Sequence, residues 1–214
     1  TAAILASIFV ILGAVSQGYR GVETLGALTA QSPATATITM FAAACTIGLM
    51  TLLRLPISAS QATVGSIVGI GIMQQQLNLQ GLGKVVACWV GTPVGGALFY
   101  VVLHLLLSRV LRRFRPSLFT LDPLLRAGLV LCGCYGAYAL GANNVANVSA
   151  VIAQSGMLSP EWAVLLGGVS IAAGILTFSQ RVMLTVGRRI VEMNVFSAFI
   201  VVLAIALSYW SLVG

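Results

Sequence analysis

Long apolar stretches, separated by short polar gaps, follow one another along nearly the whole chain. Most of them are close to the roughly 20 residues that a helix needs to cross the hydrocarbon core of a bilayer. None alternates strictly between apolar and polar positions, as a half-buried strand would. The pattern predicts an all-α polytopic membrane protein with about six transmembrane helices. These helices are predicted at residues 2–17, 35–53, 82–107, 124–142, 161–178 and 196–213.

Two further segments, 57–73 and 143–158, are shorter and rich in Gly, Ser, Thr and Asn. Their polar groups need partners that lipid tails cannot supply. Transporters often place such interrupted polar segments inside the helix bundle, where they face a wet cavity. We therefore predict that both segments are broken or re-entrant elements rather than plain membrane spans.

Composition and the placement of charge also indicate a membrane protein. Hydrophobic residues make up 59% of the chain and charged residues only 7%, whereas soluble domains carry about 25% charged residues. Much of the net charge of +7 comes from one loop between two apolar runs. Basic residues concentrate in cytoplasmic loops, which predicts that loop 109–123 is cytoplasmic and that the chain lies in the cell (inner or plasma) membrane. The arginines in and beside this loop are Arg109, Arg112, Arg113, Arg115 and Arg126.

A phosphate-binding basic patch is the alternative interpretation of this loop. A nucleic-acid partner is not expected, because the charge follows the positive-inside pattern of membrane proteins.

An internal repeat becomes visible when the sequence is shifted by 161 residues, which aligns Arg20 with Arg181 and Thr24 with Thr185. Glycines before and after these residues recur in the same register. Secondary transporters are often built from two such repeats, frequently inverted, with the substrate site where the repeats meet. The predicted division is repeat 1 at 1–108, a cytoplasmic basic linker at 109–123 and repeat 2 at 124–214.

The register also predicts that the sequence is a piece of a longer protein. Counterparts of 124–160 should precede residue 1, and counterparts of 54–107 should follow residue 214. Both ends lie inside apolar runs, and the first residue is Thr1 rather than Met. A protein with two whole repeats would have on the order of 300 residues.

The segment Gly141-Ala-Asn-Asn-Val-Ala-Asn147 places three carboxamides within five residues of an otherwise apolar stretch. An amide network between helices is one interpretation, but each such bond contributes only about 0.6 kcal/mol in membranes. Polar groups inside a bilayer are functional candidates by default. We therefore predict that Asn143, Asn144 and Asn147 bind a ligand in a wet cavity.

A second polar segment, Leu55-Pro-Ile-Ser-Ala-Ser-Gln61, has the features of a helix that starts after a break. Pro is common in the first turn of a helix, and Ser is a favoured cap. The backbone N–H groups and the positive dipole end of such a helix attract anions. Because capping needs only one serine, we predict ligand contacts for Ser58, Ser60 and Gln61. The glycines that follow are typical of close helix packing.

Arg20 and Arg181 occupy matching positions of the repeat and lie close to glycines. A snorkelling anchor at a helix end is one interpretation. The alternative is an electropositive vestibule that concentrates anions. The motif segments contain no nucleophile–base pair, metal cluster or catalytic carboxylate. We therefore expect neither an enzyme nor a metal site, and no cofactor other than a coupling ion.

In these motifs the chain resembles the inorganic phosphate and sulfate permease family. The resemblance rests on 141–147, on 55–61 with Val64-Gly-Ser-Ile-Val-Gly69, and on Arg181-Val-Met-Leu-Thr-Val-Gly187, and it extends through nearly the whole length. Members of that family are similar in having two inverted repeats, each with a Gly-Ala-Asn-Asp-type and a Pro-x-Ser-x-Ser-type segment that line a central oxyanion site. The resemblance implies uptake of a small inorganic anion, driven by a Na+ or H+ gradient, by a protein embedded in membrane lipid. The resemblance does not decide whether the protein forms a homodimer.

One position departs from the family pattern, because this chain has Asn144 where the family has Asp. Hard cations prefer oxygen ligands and especially carboxylates, so a sodium site at this position is in doubt. Monohydrogen phosphate carries a proton that a carboxylate can accept, whereas sulfate has none and would be repelled by the charge. We therefore predict a permease for a tetrahedral oxyanion, with sulfate favoured over phosphate. The alternatives are a phosphate:sodium symporter of the same family, a passive anion channel and a non-transporting membrane scaffold.

Overall fold

The structure, a computed structural model, is all-α in the part of the chain that it describes, with helices joined by short turns, as the apolar pattern predicts. It describes residues 2–53, 55, 57–114, 117–189 and 195–213; of these, side chains are not described at 114, 118, 120, 178–189, 195, 206 and 208–213. The helices are α1 (Ala2–Gly26), α2 (Pro33–Leu52), α3 (Ala59–Met73), α4 (Leu79–Phe114), α5 (Leu118–Gln154), α6 (Pro160–Arg189) and α7 (Val195–Val213).

Five of the helices are long and apolar enough to cross a membrane within the described residues. They are α1, α2 and the greater part of α4, α5 and α6. The apolar helix α3 is shorter, and so is the apolar stretch of α7 for which side chains are described. Each of the six spans predicted from the sequence coincides with one of these helices. The boundaries agree within a few residues in α2 and α7, whereas α1, α4, α5 and α6 extend well beyond the predicted spans.

The predicted interruption at residue 143 is wrong. The asparagine segment lies on α5, which runs without a break from Leu118 to Gln154. The side chain of Asn144 donates a hydrogen bond from Nδ2 to the backbone oxygen of Leu140 one turn earlier, at 3.2 Å. An amide that finds a partner on its own helix does not require the helix to break. Segment 57–73, in contrast, does begin after a non-helical stretch, and α3 is only 15 residues long.

Most of the predicted loop 109–123 is helical as well. Helix α4 continues to Phe114 and α5 begins at Leu118, where Ser117 Oγ accepts a hydrogen bond from the Phe119 N–H at 3.3 Å. Arg and Leu are good helix formers, so an arginine-rich stretch lengthens the helix. At 1.5 Å per residue, α4 and α5 are each about 55 Å long, far beyond a hydrocarbon core of about 30 Å.

Helices α1, α5 and α6 pack together as the centre of the described structure. Helix α1 approaches α5 so closely that a Cβ atom on Gly13 would collide with the backbone carbonyl of Tyr138, and one on Gly141 with that of Val10. Small residues allow such approaches between membrane helices. The glycine that opens the asparagine segment is therefore a packing residue.

Two buried serines tie α6 to its neighbours. Ser149 Oγ on α5 donates to the backbone oxygen of Ala163 at 2.7 Å, and Ser7 Oγ on α1 donates to that of Ala172 at 3.3 Å. Each bond satisfies a hydroxyl that apolar surroundings would otherwise leave without a partner. These contacts fix the position of α6 along both α1 and α5.

The proposed repeat agrees with the order of the helices. A shift of 161 residues carries α1 onto residues 163–187 of α6, and it carries α2 onto residues 194–213, where α7 begins at Val195. The division into repeats 1–108 and 124–214 and their inverted relationship stay predictions.

Candidate functional site

The serine and asparagine segments meet, although they are far apart in sequence. Asn147 Nδ2 on α5 donates a hydrogen bond to Ser60 Oγ on α3 at 2.8 Å, and the contact is partly buried. The two polar segments singled out from the sequence therefore lie at one junction between helices.

The start of α3 is organised by Ser58. Its hydroxyl accepts the backbone N–H of Gln61 at 3.3 Å, and its backbone oxygen accepts that of Ala62 at 3.0 Å, so Ser58 is the cap of this helix. The first N–H groups of a helix have no partner within the helix. In α3 these are the N–H groups of Ala59 and Ser60, which begin the helix beside the contact to α5.

Helix α5 has two different faces near its contact with Ser60. Val145 and Ala146 are buried, and Val145 packs where α1 has Gly18. The three asparagines lie on the other side, because Asn147 is four residues from Asn143 and three from Asn144, and positions three or four residues apart share one face of a helix. Asn147 Nδ2 also donates to Asn144 Oδ1 at 3.2 Å, which links two of the three amides.

Several hydrogen-bond donors at this junction have no described acceptor. Ser60 keeps its O–H, because its oxygen is the acceptor in the bond from Asn147. Asn144 uses one of its two N–H groups in the bond to Leu140 and keeps the other. Asn143 and Gln61 have exposed side chains. All of these groups are neutral donors, so together they can replace part of the hydration shell of a small anion.

Carboxylates do not take part in the described contacts of this junction. Asp122 forms an ion pair with Arg126 at 2.7 Å, and Glu161 accepts a hydrogen bond from Ser159 at 3.3 Å. Glu23 is exposed on α1. The remaining carboxylate, Glu192, lies outside the described residues. No group of three or more His, Cys, Asp or Glu residues that could hold a metal ion occurs in the described part of the chain.

Arg20 lies on α1 at the level where α1 packs against the asparagine segment of α5. A Cβ atom on the adjacent Gly21 would be 2.8 Å from Cβ of Ala146. The side chain of Arg20 is exposed, and α1 continues beyond it to Gly26, so Arg20 is not at the last turn of its helix. Arg181 lies on α6, but its side chain is outside the described residues. The anion vestibule stays a prediction.

Asn78 is a structural residue that the sequence interpretation missed. Its Nδ2 donates to the backbone oxygen of Ala27 at 3.2 Å, its backbone N–H donates to that of Leu28 at 2.9 Å, and its Oδ1 accepts the N–H of Gly81 at 2.9 Å. It therefore joins the end of α1 to the beginning of α4. The only signal in the sequence is an Asn just before an apolar run, a common helix-cap position.

Membrane-length helices around a partly buried junction of neutral polar groups are the architecture of a polytopic membrane transporter. The phosphate transporter family matches residues 1–212, and the chain belongs to that family. Its members are permeases rather than enzymes, which confirms the resemblance noted in the sequence. The chain is accordingly a multi-pass membrane protein.

The names of individual relatives specify different substrates. The chain is 31% identical over 199 residues to the sulfate permease CysP of Bacillus subtilis, which covers 90% of this chain and 55% of that protein. It is 29% identical over 222 residues to a Pyrococcus abyssi protein whose name describes a phosphate permease, with 65% of this chain and 54% of that protein covered. The chain thus spans about half the length of these relatives.

A solved structure shares the fold. The sodium-dependent phosphate transporter matches 96% of this chain and 75% of its own chain with a TM-score of 0.78. The sequence identity is 22%, so the likeness concerns the arrangement of the helices and not the substrate.

Proposed function

We propose that this chain forms part of a secondary transporter for a tetrahedral inorganic oxyanion, with sulfate favoured over phosphate. The supporting observation is the hydrogen bond from Asn147 to Ser60, which brings two sets of uncharged donors to one point. The proposed binding residues are Ser58, Ser60, Gln61, Asn143, Asn144 and Asn147.

The proposed mechanism uses helix geometry rather than covalent chemistry. The N-terminus of α3 contributes its backbone N–H groups and positive dipole end. An entering anion would replace the bond between Asn147 and Ser60 with bonds to its own oxygens. Movement of the two repeats about this point would then expose the anion to either side of the membrane. A proton or sodium gradient drives the cycle.

The preference for sulfate rests on Asn144, a neutral residue whose Nδ2 donates a hydrogen bond and whose amide, unlike a carboxylate, does not take up a proton from the anion. Sulfate is fully deprotonated and needs donors on every side. The second candidate is a phosphate:sodium symporter of the same family, and the Pyrococcus abyssi relative named as a phosphate permease favours phosphate as the substrate. A passive channel would need a continuous polar path, and α5 is largely apolar on either side of its asparagine segment.

Competition in proteoliposomes distinguishes these candidates. The complete protein is reconstituted, and uptake of labelled sulfate is measured against excess unlabelled sulfate or phosphate, with and without a sodium gradient. We expect unlabelled sulfate to compete strongly and phosphate weakly. Stronger competition by phosphate together with a requirement for sodium would favour the symporter, and uptake insensitive to any ion gradient would favour a channel.

The same assay tests the binding residues. Asn144→Ala is expected to reduce sulfate uptake by about tenfold, because a lost hydrogen bond to a charged group costs about 1.5 kcal/mol or more. The matched control is Cys132→Ala on the same helix, which removes a partly buried side chain away from the junction and should transport like the unmodified protein. Equal activity of both variants would remove Asn144 from the site.

A further inference from the structure

Thr63 on α3 is a buried polar residue whose hydroxyl has no hydrogen-bond partner among the described residues. Its exposed fraction is only 6%. A serine or threonine inside a helix can donate to the carbonyl four residues earlier, and nine hydroxyls of the described helices do so. Ser66 on the same helix is one of them, since its Oγ donates to the backbone oxygen of Ala62 at 2.9 Å. Thr63 forms no such bond.

The hydroxyl of Thr63 is not sealed off by its neighbours. Four polar atoms of the described residues are fully enclosed without a partner, and they are Thr29 Oγ1, Gln31 Nε2, Gln74 Oε1 and His104 Nδ1. Thr63 Oγ1 is not one of them, so the small surface that Thr63 exposes includes its hydroxyl. A buried hydroxyl without a partner costs free energy unless a polar group reaches it. The position of Thr63 therefore suits a polar ligand.

Thr63 belongs to the face of α3 that carries the contact with α5. Residues three or four positions apart share one face of a helix, which places Thr63 and Val64 on the same side as Ser60. Val64 is 2% exposed and packs in one buried cluster with Val145 of α5. The bond from Asn147 to Ser60 joins the same two helices. Thr63 is therefore one turn farther along α3 than the proposed anion site.

The side chain of Thr63 can reach this site. Its position along the helix axis is about 4.5 Å beyond that of Ser60. Helical side chains incline toward the N-terminus of their helix, so the Thr63 side chain leans toward the turn that contains Ser60. An anion that replaces the bond from Asn147 to Ser60 lies at this turn. Because a tetrahedral anion has oxygens on every side, one of them can point along α3 while others accept from Ser60 and Asn147.

We propose that Thr63 is a further anion-binding residue. Its hydroxyl donates a hydrogen bond to an oxygen of the bound oxyanion, and it does so without adding a charge to the site. Thr63 lies outside the serine segment 55–61 and outside the asparagine segment. The inference rests on the proposed transport function, because it adds one donor to the same site.

Thr63→Val tests the proposal, because valine keeps the branched shape of threonine and removes the hydroxyl. The complete protein is reconstituted into proteoliposomes, and the KM for sulfate uptake is measured at constant sodium concentration and pH. We expect the KM to rise about tenfold, as for the loss of a hydrogen bond to a charged group. Thr63→Ser should keep the KM of the unmodified protein. The matched control is Ser66→Ala, which removes a hydroxyl that already bonds to Ala62 and should also leave the KM unchanged.

Thermal unfolding separates a binding role from a packing role. Thr63→Val removes no hydrogen bond of the described structure, so the unfolding midpoint without sulfate should not fall. The rise in the midpoint that sulfate produces should become smaller, because this rise depends on affinity. A lower midpoint without sulfate together with an unchanged KM would show that Thr63 only packs, which overturns the proposal.

The uptake assay also distinguishes the failure of this inference from the failure of the proposed function. An unchanged KM in Thr63→Val, with sulfate uptake by the unmodified protein, would overturn the role of Thr63 alone. A change confined to the sodium dependence of uptake would overturn it too, because the hydroxyl would then bind a cation. Absence of anion uptake by the unmodified protein would refute both. If Thr63→Val does not fold, the KM of Thr63→Ala decides in the same way.

Discussion

Asn144→Asp is expected to reverse the anion preference, reducing sulfate uptake by about tenfold or more while phosphate uptake is kept or rises. The substitution changes the size of a partly buried side chain very little but adds a negative charge beside the Ser60–Asn147 contact. Repulsion of about 1.4 kcal/mol is enough for a tenfold change, and a pair of like charges near a protein surface reaches that value easily. Monohydrogen phosphate can donate its proton to the new carboxylate, and sulfate cannot.

Uptake of both labelled anions into proteoliposomes at one pH measures this prediction. The matched control is Gln80→Glu, which makes the same change from amide to carboxylate at an exposed position at the start of α4. It should leave the ratio of sulfate to phosphate uptake unchanged. An unaltered ratio in Asn144→Asp as well would show that this side chain does not face the anion.

Gly141→Val is expected to lower the thermal unfolding midpoint by roughly 10 °C or to prevent accumulation of folded protein. The new Cβ would collide with the backbone carbonyl of Val10 on α1. A backbone group cannot escape by changing rotamer, so the cost is at the upper end of the 1–3 kcal/mol typical of overpacking, and about 3 kcal/mol corresponds to that shift in a chain of this size.

Thermal unfolding of the purified protein in detergent, followed by size-exclusion chromatography, gives the midpoint. Gly136→Val is the matched control, because Gly136 lies on the same helix with open space where a side chain would point. Both substitutions place the same β-branched residue in α5, so helix propensity cancels. Similar midpoints for the two variants would mean that α1 and α5 do not approach each other closely at Gly141.

The helices could be predicted because their main determinant is local. Each apolar run is long enough to show its own length and period, and the runs reappear as α1, α2 and α4–α7. The ends of α4 and α5 could not be placed, since arginines mark the membrane surface but do not stop a helix. The predicted break at the asparagine segment was wrong for a similar reason. The density of asparagines in the sequence indicates polarity, but only the three-dimensional structure shows that Asn144 bonds back to Leu140 within α5.

The candidate site could be predicted in its residues but not in its contacts. Ser60 and Asn147 were selected separately, each as a polar residue that lipid cannot satisfy, and nothing local specifies that one donates to the other across 87 positions. The role of Ser58 as a helix cap could be inferred from its type but not told apart from that of Ser60. Gly13 and Gly141 permit a close approach, but they do not reveal which helix approaches.

The most direct test of the anion site is crystallography of the complete protein with selenate, a heavier analogue of sulfate that can be located by its anomalous signal. We expect an anomalous peak within hydrogen-bond distance, about 3 Å, of Ser60 on α3 and of the asparagine amides on α5. A peak confined to Arg109, Arg112 and Arg113, or one remote from both segments, would contradict it.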